Sequence, residues 1–435
     1  MNIKGFFLIA FYILFLSCNS QEIEIKDNQN IFGFCTSNTF TFFDVEDTLF
    51  TNKILQIDPQ VLRFPGGSLG NFYHINSSGY GFNLDEIREF HSQKFSKRVA
   101  GLIRAQQKNN HTSNYIEDFI KLAKLTNAKV VLVANVLTGD KDELISMIER
   151  FNSEKIEILG IELGSELSNR AYKKHIKSVA DYIILAKKAA KNIRSEFPEI
   201  QLAVVASPIK ADMPKRLINW NSYLAKEDFY DAIVYHSYAK IVDGEAESGV
   251  MISEYPVNLD NRLQFDLYKD RVLVFQNDFI SNIKNYNKIF NNKEIWITEW
   301  NLQMTKTTAN TMIHSLFISQ YLMDILCVPD LQNIKIAMYH NLAGRDVSGS
   351  IFKAEKEGFV THSTFFPFSI LSDIFDGNII RVDKKSIDDN QTYEYKCYDS
   401  DDKLQMLYIV NWSGDPYHYY IGDYDLRFVQ KFYTD

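Results

Sequence analysis

Two glutamates occupy positions where a carboxylate is hard to explain as packing. Glu166 ends the run Gly160-Ile161-Glu162-Leu163-Gly164-Ser165-Glu166, and Glu299 lies in Trp296-Ile297-Thr298-Glu299-Trp300-Asn301. Each closes a short apolar segment, where burying a charge without partners is costly. Two carboxylates facing one bond suit glycoside hydrolysis. One protonates the leaving oxygen; the other attacks the anomeric carbon, and water then cleaves the glycosyl-enzyme. Retention of configuration needs the carboxyl groups about 5–5.5 Å apart. Glu162, inside the same run as Glu166, reads as structural. The alternatives without chemistry are a rim salt bridge for Glu299 and a first-turn helix position for Glu166.

Something must carry both acids to one place. Short β-branched or aromatic runs recur at 31–35, 61–64, 129–136, 158–163, 201–206, 232–238, 294–300 and 334–340. Most are near-continuous apolar runs, as in parallel strands covered on both faces. Amphipathic stretches lie between them at 115–125, 140–151, 179–197, 277–290 and 312–327. Ile116, Phe119, Ile120 and Ala123, and Leu144, Met147, Ile148 and Phe151, follow helical spacing. The pattern predicts an α/β fold, a (β/α)₈ TIM barrel spanning 31–378, with its site at the C-terminal ends of the strands. A doubly wound open sheet is the alternative, but no early Gly-rich phosphate turn supports it. In the seventh run, strict alternation puts Trp296, Thr298 and Trp300 on one face and Ile297 with Glu299 on the other. Residues 379–435 read as short strands divided by Asp/Asn/Gly/Ser turns. They predict a small C-terminal antiparallel β-domain, sandwich-like and either minimal or incomplete, to which 22–26 could add a strand.

Further motifs stand at the strand ends: Leu62-Arg63-Phe64-Pro65-Gly66-Gly67-Ser68 with Asn71-Phe72-Tyr73-His74, Ala134-Asn135-Val136-Leu137-Thr138-Gly139, Tyr235-His236-Ser237-Tyr238 and Thr298-Glu299-Trp300-Asn301. Together they resemble clan A retaining glycoside hydrolases, in particular the α-L-arabinofuranosidases and their heparanase-like and β-glucuronidase-like relatives, over roughly residues 31–345. The resemblance implies Glu166 as acid/base and Glu299 as nucleophile. Arg63 would favour the charged form of Glu299, and Tyr238 would donate a hydrogen bond to it. His236 would line the pocket, and Trp300 would wall a sugar ring. Asn71, Asn135 and His340 would bind hydroxyls. For His236 and Trp300 core packing is the competing reading. One position departs from the pattern. The clan places Asn before the acid/base to hold the substrate 2-hydroxyl, and here it is Ser165. Three consequences stay open: a glycone that differs at its second carbon, a contact supplied by another side chain, or lost activity. The last gives the alternative function, a non-catalytic glycan-binding lipoprotein. A transglycosidase would use the same residues.

Composition is that of an ordinary globular chain: 46% hydrophobic and 23% charged, with 19 Gly, 9 Pro and 4 Cys in 435 residues, which excludes disordered, collagen-like and disulfide-scaffold classes. The net charge of -8 without a long basic run argues against a nucleic-acid partner. Carbohydrate is the expected partner, and no metal or organic cofactor is implied. After Lys4, Gly5–Leu16 is an apolar run of signal-peptide proportions, followed by Ser17-Cys18. The reading is a bacterial lipoprotein signal (1–17), lipidation at Cys18 and a tether through 18–30. The protein would then be exported and held to a membrane only by its lipid. An ordinary signal peptide with an incidental Cys18 is the alternative. Cys35, Cys327 and Cys397 all adjoin apolar or aromatic residues and read as buried thiols.

Overall fold

The computed structural model describes residues 21–420 apart from 25–28, 77–79, 109–114, 211, 243–245, 248–250, 253–260, 304, 306–307, 346–348, 376 and 388–390. The expected signal and the lipidation position Cys18 lie outside the described residues.

Eight parallel strands close into a barrel: Asn30–Cys35, Val61–Phe64, Lys129–Val133, Ile158–Glu162, Leu202–Val205, Ala232–Ala239, Glu294–Leu302 and Ile334–Tyr339, counted here as the first to eighth. The TIM-barrel expectation holds because each strand is apolar on both faces. Val61, Val131, Val234, Trp296 and Met338 point inward and fill the barrel. Leu62, Leu132, Ile161, Ile233 and Ile297 point outward against the helices. Trp296 fits inside only because the fourth strand carries Gly160 opposite it; a Cβ there would lie 2.2 Å from the indole.

The outer layer follows the amphipathic stretches. Tyr115–Thr126 buries Ile116, Phe119, Ile120 and Ala123, and Lys141–Ser153 buries Leu144, Met147, Ile148 and Phe151. Asp140 is the cap of the latter helix rather than its first residue, its carboxylate accepting from the Glu143 N–H at 2.9 Å. The helix expected over 277–290 spans Asn261–Ile289. Its early turns alternate charge too densely to show an apolar stripe. Helices Thr48–Leu55, Leu84–Phe90 and Gln93–Lys108 add to those expected from the sequence.

Beyond the eighth strand a small sheet forms from Ala343–Gly344, Phe352–Ala354 and Phe359–Thr361. The C-terminal antiparallel sheet consists of Arg381–Ile387, Thr392–Tyr398 and Leu404–Asn411, and Gln21–Glu24 pairs along its first edge. It is clamped to helix Met312–Cys327. Lys384 and the Tyr395 hydroxyl both reach Asp324, at 2.5 and 3.0 Å, and the Trp412 indole donates to Gln320 at 2.6 Å. Cys35, Cys327 and Cys397 are buried thiols. Among the described residues no helix is long and apolar enough to cross a membrane.

Candidate active site

The site is assembled by strand alternation with one interruption. In the second strand Val61 and Arg63 point inward, and in the sixth Val234, His236 and Tyr238 do so in turn. The fourth strand delivers Glu162 on the same side as Gly160. The seventh strand does not keep its alternation. Trp296 pairs with Val234 but Glu299 pairs with His236, so three residues span a gap that two fill on the neighbouring strand. The same excess faces the eighth strand, between Ile297–Ala337 and Trp300–Tyr339. This β-bulge turns Glu299 inward, whereas unbroken alternation would have aimed it outward with Ile297. The facing predicted for this strand is thereby corrected.

Arg63 is the hub. Its guanidinium donates to both oxygens of Glu162 at 2.6 and 2.8 Å, to Glu299 Oε1 at 2.7 Å and to Ser165 Oγ at 3.2 Å. Tyr238 donates to Glu299 Oε2 at 2.6 Å. Both nucleophile-candidate oxygens are thus held from the barrel interior. His236 Nδ1 lies 3.1 Å from Glu166 and 3.6 Å from Glu299, and its Nε2 lies 3.2 Å from Thr298 Oγ1. One oxygen of Glu166, one of Glu299 and a His236 nitrogen all lie within 4.8 Å of one another. The two acids therefore converge, and their exposures differ: the Glu166 side chain is 35% exposed and that of Glu299 only 7%.

The charges follow from these contacts. Burial alone would raise the Glu299 carboxyl; the imidazoles of His236 and His340, the Arg63 guanidinium and the Tyr238 hydroxyl outweigh it and hold the group below the usual carboxylate range. Burial would push His236 down, yet the carboxylates of Glu299 and Glu166 raise it, so its imidazolium is favoured. Burial, reinforced by the Glu299 charge, keeps Tyr238 a neutral donor. Glu166, His236 and Glu299 are the only cluster among the described residues with metal-ligand atoms this close. With Arg63 on one Glu299 oxygen and Tyr238 on the other, that donor set is committed to hydrogen bonds and faces a fixed positive charge.

Glu166 stands on a strained loop. It adopts φ 51°, in the left-handed region that costs a non-glycine residue energy, two residues after Gly164 at φ 90°. Asn71 holds this loop. Its carboxamide accepts from the Ser165 N–H at 2.8 Å and donates to the Ser165 carbonyl at 2.7 Å and the Tyr172 hydroxyl at 2.9 Å.

Several residues expected to bind substrate do other work. Arg63, Asn71 and Ser165 are fully buried, with their polar groups spent on one another's loops, so none of them presents a group to a sugar. Trp300 faces outward, fully buried and stacked on Tyr321 at 4.4 Å between ring centroids; it is core, not a cleft wall. The Asn135 carboxamide closes its own turn, accepting from the Leu137 and Thr138 N–H groups, and approaches His74 rather than the acids. His340 does lie at the cleft, edge-on to Tyr238, with Nε2 3.1 Å from Ser37 Oγ. Sequence reading missed Ser37, Thr298 and Tyr172. The first strand ends two residues before Ser37, so the strand-end rule could have found it. No sequence signal marked Tyr172.

No family model matches the chain, and no curated protein matches it. Among solved structures it is similar to the GH51 arabinofuranosidase from Xanthomonas axonopodis pv. citri (TM-score 0.61, 12% identity, over 90% of this chain and 83% of that one). It is likewise similar to a family 51 α-L-arabinofuranosidase from Bifidobacterium longum (0.63, 12%, 90% and 84%). A third is a 4-O-α-L-rhamnosyl-β-D-glucuronidase from Fusarium oxysporum 12S (0.54, 12%, 91% and 80%). The class of molecule is thus a barrel with the fold of clan A glycoside hydrolases. Within that class the likeness runs to the arabinofuranosidase group, in agreement with the motif resemblance.

Proposed function

We propose that this chain is a retaining glycoside hydrolase acting on a poly- or oligosaccharide, exported and anchored through Cys18. The observation that carries the reading is the convergence of Glu166 and Glu299, with oxygens within 4.8 Å, beside Nδ1 of His236. That separation suits direct attack; inverting pairs stand about 6.5–9.5 Å apart to admit a water. Glu299, ionised and held by Arg63 and Tyr238, attacks the anomeric carbon as Glu166 gives its proton to the leaving oxygen. Glu166, more open to solvent, then takes a proton from the water that displaces Glu299. His236 donates to Glu166 while it is ionised and keeps it beside the cleft.

The test is mutational. Glu299→Ala should abolish turnover, with azide partly restoring it by entering the vacated space, and Glu166→Ala should lose most activity on substrates with poor leaving groups. Near-normal activity in both variants would sink the assignment. Glycan binding without any product, in the unaltered chain, would favour the non-catalytic reading that Ser165 motivates.

A further inference from the structure

A second cavity lies away from the barrel mouth, on the flank between helices Asn261–Ile289 and Met312–Cys327 and the C-terminal sheet. Its volume of about 630 Å³ falls in the range of small-ligand sites. The helices that wall it pack outside the barrel, whereas Glu299 points inside, so this space is separate from the acids.

The lining is polar and balanced. Lys269 and Lys384 stand against Asp270 and Asp324, and the lysines are already engaged, Lys384 with Asp324 at 2.5 Å and Lys269 with Asp266 at 3.1 Å. An anionic ligand would have to break those pairs. An apolar ligand would strip water from the carboxamides of Gln276, Asn277 and Gln391 without replacing its hydrogen bonds. Gln276 is the telling residue. It is 7% exposed, and its Nε2 has no partner. A buried amide donor without an acceptor is rare in a folded protein. The floor is rigid, since Tyr395 and Lys384 share Asp324 and Trp412 holds Gln320. Carboxamides that both donate and accept, a tyrosine at the edge (Tyr393) and no net charge match a ligand dense in hydroxyl groups.

We infer that this cavity is a second saccharide-binding site, taking a short neutral oligosaccharide, with the Gln276 carboxamide turning toward it so that Nε2 donates to a ring or hydroxyl oxygen. It would let the chain hold a polymer at a point other than the one where bonds are cut, and it does not depend on turnover.

The experiment uses the full chain carrying Glu299→Gln, so that no ligand is consumed. Cellotriose, xylotriose and arabinotriose are added in turn at millimolar concentration, and hydrogen–deuterium exchange is followed by segment. At least one should slow exchange over 269–280 and 391–396. Gln276→Leu should weaken the binding read there about tenfold, the value of one buried hydrogen bond to a ligand. Asn277→Trp, at an exposed position that tolerates bulk, should remove the protection there while leaving any at the Glu166 loop unchanged. No slowing in these segments with any of the three sugars, or slowing that survives both substitutions, overturns the inference. Failure of the hydrolase reading would show instead as retained turnover in the Glu166 and Glu299 variants.

Discussion

Asn71→Ala tests whether the acid-bearing loop is held from beneath. The carboxamide is fully buried and makes three hydrogen bonds, two to the backbone of Ser165 and one to Tyr172. Truncation leaves the Ser165 N–H and carbonyl without partners and removes one of the two hydrogen bonds of the Tyr172 hydroxyl, which keeps Ser68. A buried group left unsatisfied costs about 1–3 kcal/mol, and a water entering the small cavity would recover part of that. The expected loss is about 3–4 kcal/mol, read as a lower urea midpoint at unchanged slope. The loop also holds Glu166 at φ 51°. Released, the backbone relaxes toward a less strained conformation and the carboxyl moves. A displacement of about 1 Å costs on the order of 100-fold in rate. On an aryl glycoside, kcat should fall by that order, while a variant that is only less stable would keep kcat in the folded fraction. A midpoint within about 0.5 kcal/mol of the parent, with kcat unchanged, would refute the clamp.

Tyr238→Phe removes the 2.6 Å hydrogen bond to Glu299 Oε2 and should lower kcat about 100-fold, the order seen when one donor to a reacting group is lost, with KM little altered. Trp300→Leu should cost about 2–4 kcal/mol in denaturation and leave KM unchanged, because the ring packs on Tyr321 and never meets substrate; a large rise in KM would restore it to the cleft. His74 sits between Glu86 at 3.0 Å and Glu143 at 2.8 Å, which raise its pKa to about 9 against the cost of burial. Its folded pKa is above the unfolded one, so its stabilisation is complete below about pH 6.5 and is lost as pH rises through about 9. The parent should therefore lose roughly 2–3 kcal/mol between those limits, at about 1.4 kcal/mol per pKa unit, and His74→Gln should show a flatter profile in pH-dependent denaturation.

What the sequence by itself determined was whatever periodicity controls. Eight apolar runs and the helical spacing between them are local patterns, so they specified the barrel and the order of its strands. Because a side chain alternates faces with a period of two, Arg63, His236 and Tyr238 were already on one side of their strands, and strand ends already marked Glu166 and Glu299. The tertiary structure decided everything that depends on a neighbour. The bulge that turns Glu299 inward is a mismatch between adjacent strands, and no single strand carries it in its composition. Asn71 and Ser165 have side chains that would serve a sugar as well as a loop, and only their burial shows the loop claimed them first. Trp300 was equally suited to a cleft wall and a core, until the helix bearing Tyr321 packed over it. Residue type sets which interactions a group can make; which one it does make is set by the partner that long-range folding brings within reach.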